Sequence, residues 1–276
     1  MLPAEAPHDL DHSPWDSLLR RYVTAAARVD YASLKQNALP DLDAYLARLA
    51  APWPAAMSPQ AREAALITAY NALTVRWVTV HYPVRSIRNT KDPFDAARHT
   101  VDGRAVSLDQ IETSLRRLGD PRIHAALVCA AVDCPPLRRE AYTASSLDRQ
   151  LEDNTRDWLA NFRLNRFVPG QFLARVSPIF KWYSADFEDA GGVAQFLARH
   201  APAGRGRFLL TSGARIEYLD YDWTLNDAAS PRSGGFLIPA AAAVFGLLLL
   251  ALAWFRRRAV RIAAESSASP SCSPRG

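Results

Sequence analysis

Residues 234–255, GGFLIPAAAAVFGLLLLALAWF, carry no charged side chain and run straight into RRRAVR. At 1.5 Å per residue, about 20 apolar residues span a hydrocarbon core of ~30 Å, so this stretch is long enough for a membrane helix. Pro239 and Gly246 do not argue against it, because helices in lipid tolerate both. Trp254 and Phe255 stand where an interfacial aromatic belt lies, and Arg256, Arg257, Arg258 and Arg261 follow on the side that the positive-inside tendency keeps cytoplasmic. The expectation is a single-pass membrane protein that meets the lipid bilayer through residues 235–255. Residues 1–228 form an extracytoplasmic globular domain, 229–234 a linker, and 256–276 a basic, Ser/Pro-rich disordered tail. The first 21 residues hold no apolar h-region, so the reading requires an export signal upstream of Met1; the alternative is a cytoplasmic body with a tail anchor.

Most of the formal charge of +5 belongs to that tail, since removing its five arginines and one acid leaves 28 basic against 27 acidic residues. A near-neutral body has no basic face for nucleic acid, and none is expected as a partner. With 49% of its residues apolar, the chain can bury a core as one main domain.

Periodicity predicts mostly helices. Ser13 and Pro14 open one over 14–28, and Leu42, Tyr45, Leu46 and Leu49 mark a second over 41–50. Ser58 and Pro59 start the strongest, which runs to Tyr82 with Leu66, Tyr70, Leu73 and Trp77 on one face. Asp102 and Gly103 read as a hairpin turn, and Ser107 caps a helix closed by Gly119. IHAALVCAAV, a continuous apolar run, reads as a buried strand, with a helix as the alternative. A helix over 147–162, strands at FLARV and RIEYLDYDW, and two short helices between 178 and 200 complete a helix-rich α+β domain with a small mixed or antiparallel sheet.

Six stretches in order, ALITAYNALTV, HYPVRSI, SLDQIE, DPRIHAALVCAAVDCPPLRREAYTASSLDRQL, FKWYSADF and YLDYDWTLN, resemble the bacterial branch of the domain of unknown function 547 family over about residues 60–226. The resemblance brings no established reaction. It implies at most a papain-like-related fold, and hence a cysteine-hydrolase-like site.

A cysteine nucleophile needs a base to form thiolate, a group that orients the base, and donors for an oxyanion. Cys134 is the candidate nucleophile, His124 the base and Glu112 its orienter. Pro135 and Pro136 lack N–H groups, so the expected donors are the N–H of Cys134 itself and the side chain of Asn71. Three features count against this set. Asp133 beside Cys134 disfavours thiolate. A straight strand from His124 would carry the chain about 20 Å away at ~3.3 Å per residue. The family usually continues SLDQIE with histidine, where this chain has Thr113.

Each residue also has an ordinary structural role open to it. Cys129 reads as a small core hydrophobe or an alternative nucleophile, and its pairing with Cys134 is left open. His124 would be a satisfied buried imidazole, Glu112 a surface acid, and Asn71 a structural hydrogen-bonding group inside a core helix. Zinc ligands in the usual C-x2-C pairing are missing, so neither metal nor cofactor is expected. The first functional expectation is therefore a membrane-anchored cysteine-dependent hydrolase or acyl transferase acting on an amide or peptide-type bond. The second is a non-enzymatic envelope module that binds a protein partner through the same cleft.

Overall fold

The computed structural model describes residues 9–229. The expected membrane helix, the tail and most of the linker lie outside these residues, and among the described residues no helix is long and apolar enough to cross a membrane.

Helix α4 (Pro59–His81) is the axis of the first half. Its start is set by Ser58, whose Oγ accepts from the Ala61 N–H at 3.0 Å. Ala61, Ala64, Ala65, Ala69 and Ala72 are fully buried on it, and such small side chains let neighbours approach closely from several sides. Those neighbours are α2 (Tyr31–Asn37), α3 (Leu39–Ala50) and α5 (Leu108–Arg116), with α1 (Ser13–Tyr22) against α3. Helix α1 stops six residues short of its expected end at 28. Thr24 to Ala27 form a turn, with Ala27 at φ 57°, that brings Val29 back to pair with Val23.

The hairpin of β1 (His99–Val101) and β2 (Arg104–Val106) closes through Asp102 at φ 52° and Gly103 at φ 70°, a turn geometry that matches strand twist. Helix α5 follows with a full capping box: Ser107 Oγ accepts from the Gln110 N–H, and Gln110 Oε1 accepts from the Ser107 N–H.

The second half comprises α6 (Ile123–Ala126), α7 (Leu147–Ala160), β3 (Arg166–Val168), β4 (Leu173–Val176), α8 (Ile179–Trp182), α9 (Gly192–His200) and β5 (Arg215–Tyr218). Strand β4 is central, antiparallel to β3 and parallel to β5, so the small sheet is mixed. The expected strand over 215–223 ends at Tyr218. Beyond it the chain becomes a strap that hydrogen-bonds three separate segments: Val132 N–H to Thr224 O at 2.7 Å, Leu225 N–H to Arg85 O at 2.8 Å, and Ala228 N–H to Val29 O at 2.9 Å.

One expectation is overturned. IHAALVCAAV is not a strand; it is one helical turn, α6, followed by irregular backbone with a single bridge at Ala131 to Leu225. The physical reason is that side chains, not a neighbouring strand, satisfy its backbone. The Asn71 amide donates to Ala126 O at 2.9 Å and accepts from the Val128 N–H at 2.9 Å, while Asn154 donates to Ala125 O. The run is uniformly apolar because it lies between two cores. Ile123 and Ala126 join the cluster built on α1 to α5, and Ala125 joins a second one of Trp158, Phe180, Phe187 and Phe196.

Candidate functional site

At the seam between these cores the chain passes Cys129 and returns to Cys134. Ala130 takes the left-handed conformation at φ 62°, unusual for alanine, and is held by the Asn226 N–H on its carbonyl at 2.9 Å. This reversal closes a disulfide between Cys129 and Cys134. Cys129 is thus half-buried and bonded, not the simple core hydrophobe of the sequence reading, while Cys134 is buried.

The sulfurs sit among hydrogen-bond donors. The Cys129 N–H points at Cys134 Sγ at 3.0 Å, and the Tyr221 hydroxyl lies 3.2 Å from each sulfur. Both would stabilise negative charge on Cys134 Sγ once it is free. The two oxyanion donors expected from sequence are engaged elsewhere. The Cys134 N–H bonds Ala131 O at 3.2 Å, and the Asn71 amide holds the backbone at 126 and 128. Asp133, whose charge counted against thiolate, is paired with Arg163 and accepts from the Asp222 N–H at 2.8 Å.

His124 is 4% exposed, and its Nε2 lies 2.7 Å from Asp186 Oδ2. Burial pushes its pKa down to about 4 against the opposing pull of Asp186, so the ring is neutral at pH 7. With the Nε2 proton on Asp186, Nδ1 carries the lone pair, and it makes no hydrogen bond among the described residues. Asp186 is gripped by Arg116 through two bonds of 2.6 and 2.9 Å. Burial raises its pKa, but the hydrogen bonds from Arg116 and His124 outweigh this and hold the carboxyl below its ordinary value.

Glu112 is not the direct orienter of His124. It hydrogen-bonds the Tyr183 hydroxyl, and the Tyr183 ring stacks on the imidazole at 4.3 Å between centroids. Its influence on His124 therefore passes through an aromatic ring. Burial, with Asp109 adding, raises the Glu112 pKa above the usual carboxylate value, against the Tyr183 bond.

Cys129, Cys134, His124 and Glu112 all line one cavity of about 140 Å³, closed by Tyr70, Trp182, Tyr183, Tyr221 and Trp223; Asn71 is not in its wall. The sharp return that a contact with His124 required does occur. Yet no hydrogen bond joins His124 to either sulfur among the described residues, so imidazole and disulfide face the same space without touching. Thr113 opens on a different cleft, with Trp53, Arg62 and Arg117. Cys134 and His124 do not line that cleft, and Thr113 is not a partner in the His124 to Asp186 pair. Among the described residues no cluster of three or more His, Cys, Asp or Glu is placed to hold a metal ion.

Sequence reasoning missed Asp186, Arg116, Tyr183 and Tyr221. For Tyr183, Asp186 and Tyr221 the available signal was their place inside FKWYSADF and YLDYDW, one acid flanked by aromatics and a tyrosine between two acids; Arg116, in SLRRLG, carried no such mark. No curated protein matches the chain, and no solved structure does. Residues 54–159 match the family described as Protein of unknown function, DUF547, a stretch that holds Asn71, Glu112, His124, Cys129 and Cys134 but not Asp186 or Tyr221.

Proposed function

We propose that the whole globular domain belongs to this family, in its bacterial branch. Its role is that of a membrane-anchored cysteine-dependent hydrolase or acyl transferase acting on an amide or peptide-type bond outside the cytoplasm. The observation that carries the reading is the cavity wall itself, where a sulfur with two donors aimed at it lines the same cavity as a neutral, carboxylate-held imidazole.

The chemistry begins with a dithiol reductant, which transfers two electrons and two protons and leaves Cys129 and Cys134 as thiols. Freed of its bond, Cys134 Sγ turns about χ1 into the cavity and passes its proton to His124 Nδ1. The thiolate adds to the substrate carbonyl carbon, and the resulting oxyanion takes hydrogen bonds from the Tyr221 hydroxyl and the Cys129 N–H. The imidazolium, stabilised by Asp186 on its other nitrogen, protonates the leaving amine as the C–N bond breaks. Water, or an acceptor nucleophile, then gives its proton to His124 and cleaves the thioester. Asn71 acts as a positioning residue for the 126–128 backbone, and Glu112 steadies the ring through Tyr183.

The test is alkylation. After reduction with dithiothreitol, Cys134 should react with iodoacetamide at pH 6 faster than a free thiol in solution, and His124→Ala should remove that advantage. Equal rates in the two forms would favour the second reading, a binding module without catalysis, for which the bonded sulfurs and the lack of a hydrogen bond from His124 to either of them speak. The anchor is tested separately. Full-length protein should stay in the membrane fraction after carbonate extraction, and a chain ending at residue 229 should leave it.

A further inference from the structure

One group in the cavity has no part in that chemistry. Tyr70, on the inner face of α4, is 3% exposed and lines the cavity, yet among the described residues its hydroxyl makes no hydrogen bond. The hydroxyl opens on the cavity instead of being sealed in the core, so whatever fills the cavity meets it. The two acids near enough to act on it are Glu112 and Asp109.

The charge of the entering group follows from the rest of the wall. Asp109 and Glu112 line the cavity, no lysine or arginine does, and His124 is neutral there. Arg116 is held on Asp186 and over the Tyr183 ring. Trp182 and Trp223 stack near the mouth at 6.2 Å between centroids, and Arg88 already lies over the Trp223 ring at 4.9 Å, so these faces attract cations. An anion entering would meet two carboxylates. A neutral alkyl group would leave the Tyr70 hydroxyl unpaired.

We propose that this cavity receives a primary ammonium group at the end of an alkyl chain, of the kind a lysine side chain carries. Its N–H groups bond the Tyr70 oxygen and the Glu112 carboxylate, and its chain lies against the Trp182 and Trp223 side chains. As a substrate class this rests on the hydrolase reading above, and it places the cleaved or modified acyl group beside a free amine. The volume of about 140 Å³ suits the end of one such chain.

The experiment reads binding and not turnover, so it stands or falls apart from the alkylation test. The full chain, disulfide intact, is titrated at pH 7 with n-butylammonium, n-butanol and n-butyrate, followed by ligand-observed NMR. Butylammonium should bind saturably and at least about five-fold tighter than butanol, with butyrate weakest. Glu112→Gln should weaken butylammonium about ten-fold and Tyr70→Phe a few-fold, while butanol is unaffected. Asp109→Asn, an exposed change that leaves the core alone, gives the same direction should Glu112→Gln fail to fold. No saturable butylammonium binding, butyrate or butanol binding as tightly as butylammonium, or insensitivity to both carboxylate changes would overturn the proposal.

Discussion

Asn71 shows how a single residue takes its role from what lies opposite. An asparagine is a poor helix former in mid-helix, and here one amide supplies both a donor and an acceptor to the buried backbone at 126 and 128. Asn71→Ala leaves both groups without partners and should lower the unfolding free energy by about 3 kcal/mol, measured by urea denaturation. Asp186 works differently. Asp186→Asn keeps the shape but removes the charge that favours imidazolium, so alkylation of reduced Cys134 should slow by about ten-fold or more while far-ultraviolet circular dichroism stays the same. The sequence displayed Asn71, Glu112, His124 and Cys134 as candidates. It could not display the pairing of His124 with Asp186, because a contact across 62 positions leaves no local pattern.

At the scale of elements, the helices were legible where a cap and an apolar face coincide. Ser58, Ser107 and the Asp102-Gly103 turn set their elements where the sequence placed them. The run after His124 was misread because uniform burial erases periodicity, and burial between two cores looks the same in a helical turn, a loop or a strand. Residues 219–223, the start of the strap after β5, were read as strand, although the strap's backbone bonds beyond them go to three loops instead of one neighbour. Asn226 pins it: Tyr31 donates to its Oδ1 at 2.7 Å, and its own N–H holds Ala130 in the left-handed turn. Asn226→Ala should speed hydrogen exchange at the Val132 and Leu225 amides without affecting α4, because loss of the side-chain anchor loosens the strap before the core.

For the whole molecule, the titrating groups give stability a direction with pH. Burial pushes both His99 and His124 down to about 4 from an ordinary value near 6.5. The unfolded chain therefore binds more protons than the folded one between these values, and stability is lost as pH falls through that window. Asp186, held low by Arg116 and His124, loses its contribution in the same direction at lower pH. Glu112 and Glu63, raised chiefly by burial, work the opposite way and offset part of it. Chemical denaturation from pH 7 to 4 should show a falling free energy, and His99→Phe should flatten the slope without touching the cavity.

What the sequence determined by itself was the helix-rich mixed architecture, the long uncharged run near the C-terminus and the set of reactive side chains around residues 112–134, because caps, periodicity and residue chemistry are local properties. The tertiary structure alone decided which of those side chains meet. It joined Cys134 to Cys129, took Asn71 for the backbone, gave His124 to Asp186 and Glu112 to Tyr183, and opened Tyr70 on the cavity. These pairings form where two separately built cores press one twelve-residue segment between them, and no spacing along the chain encodes that contact.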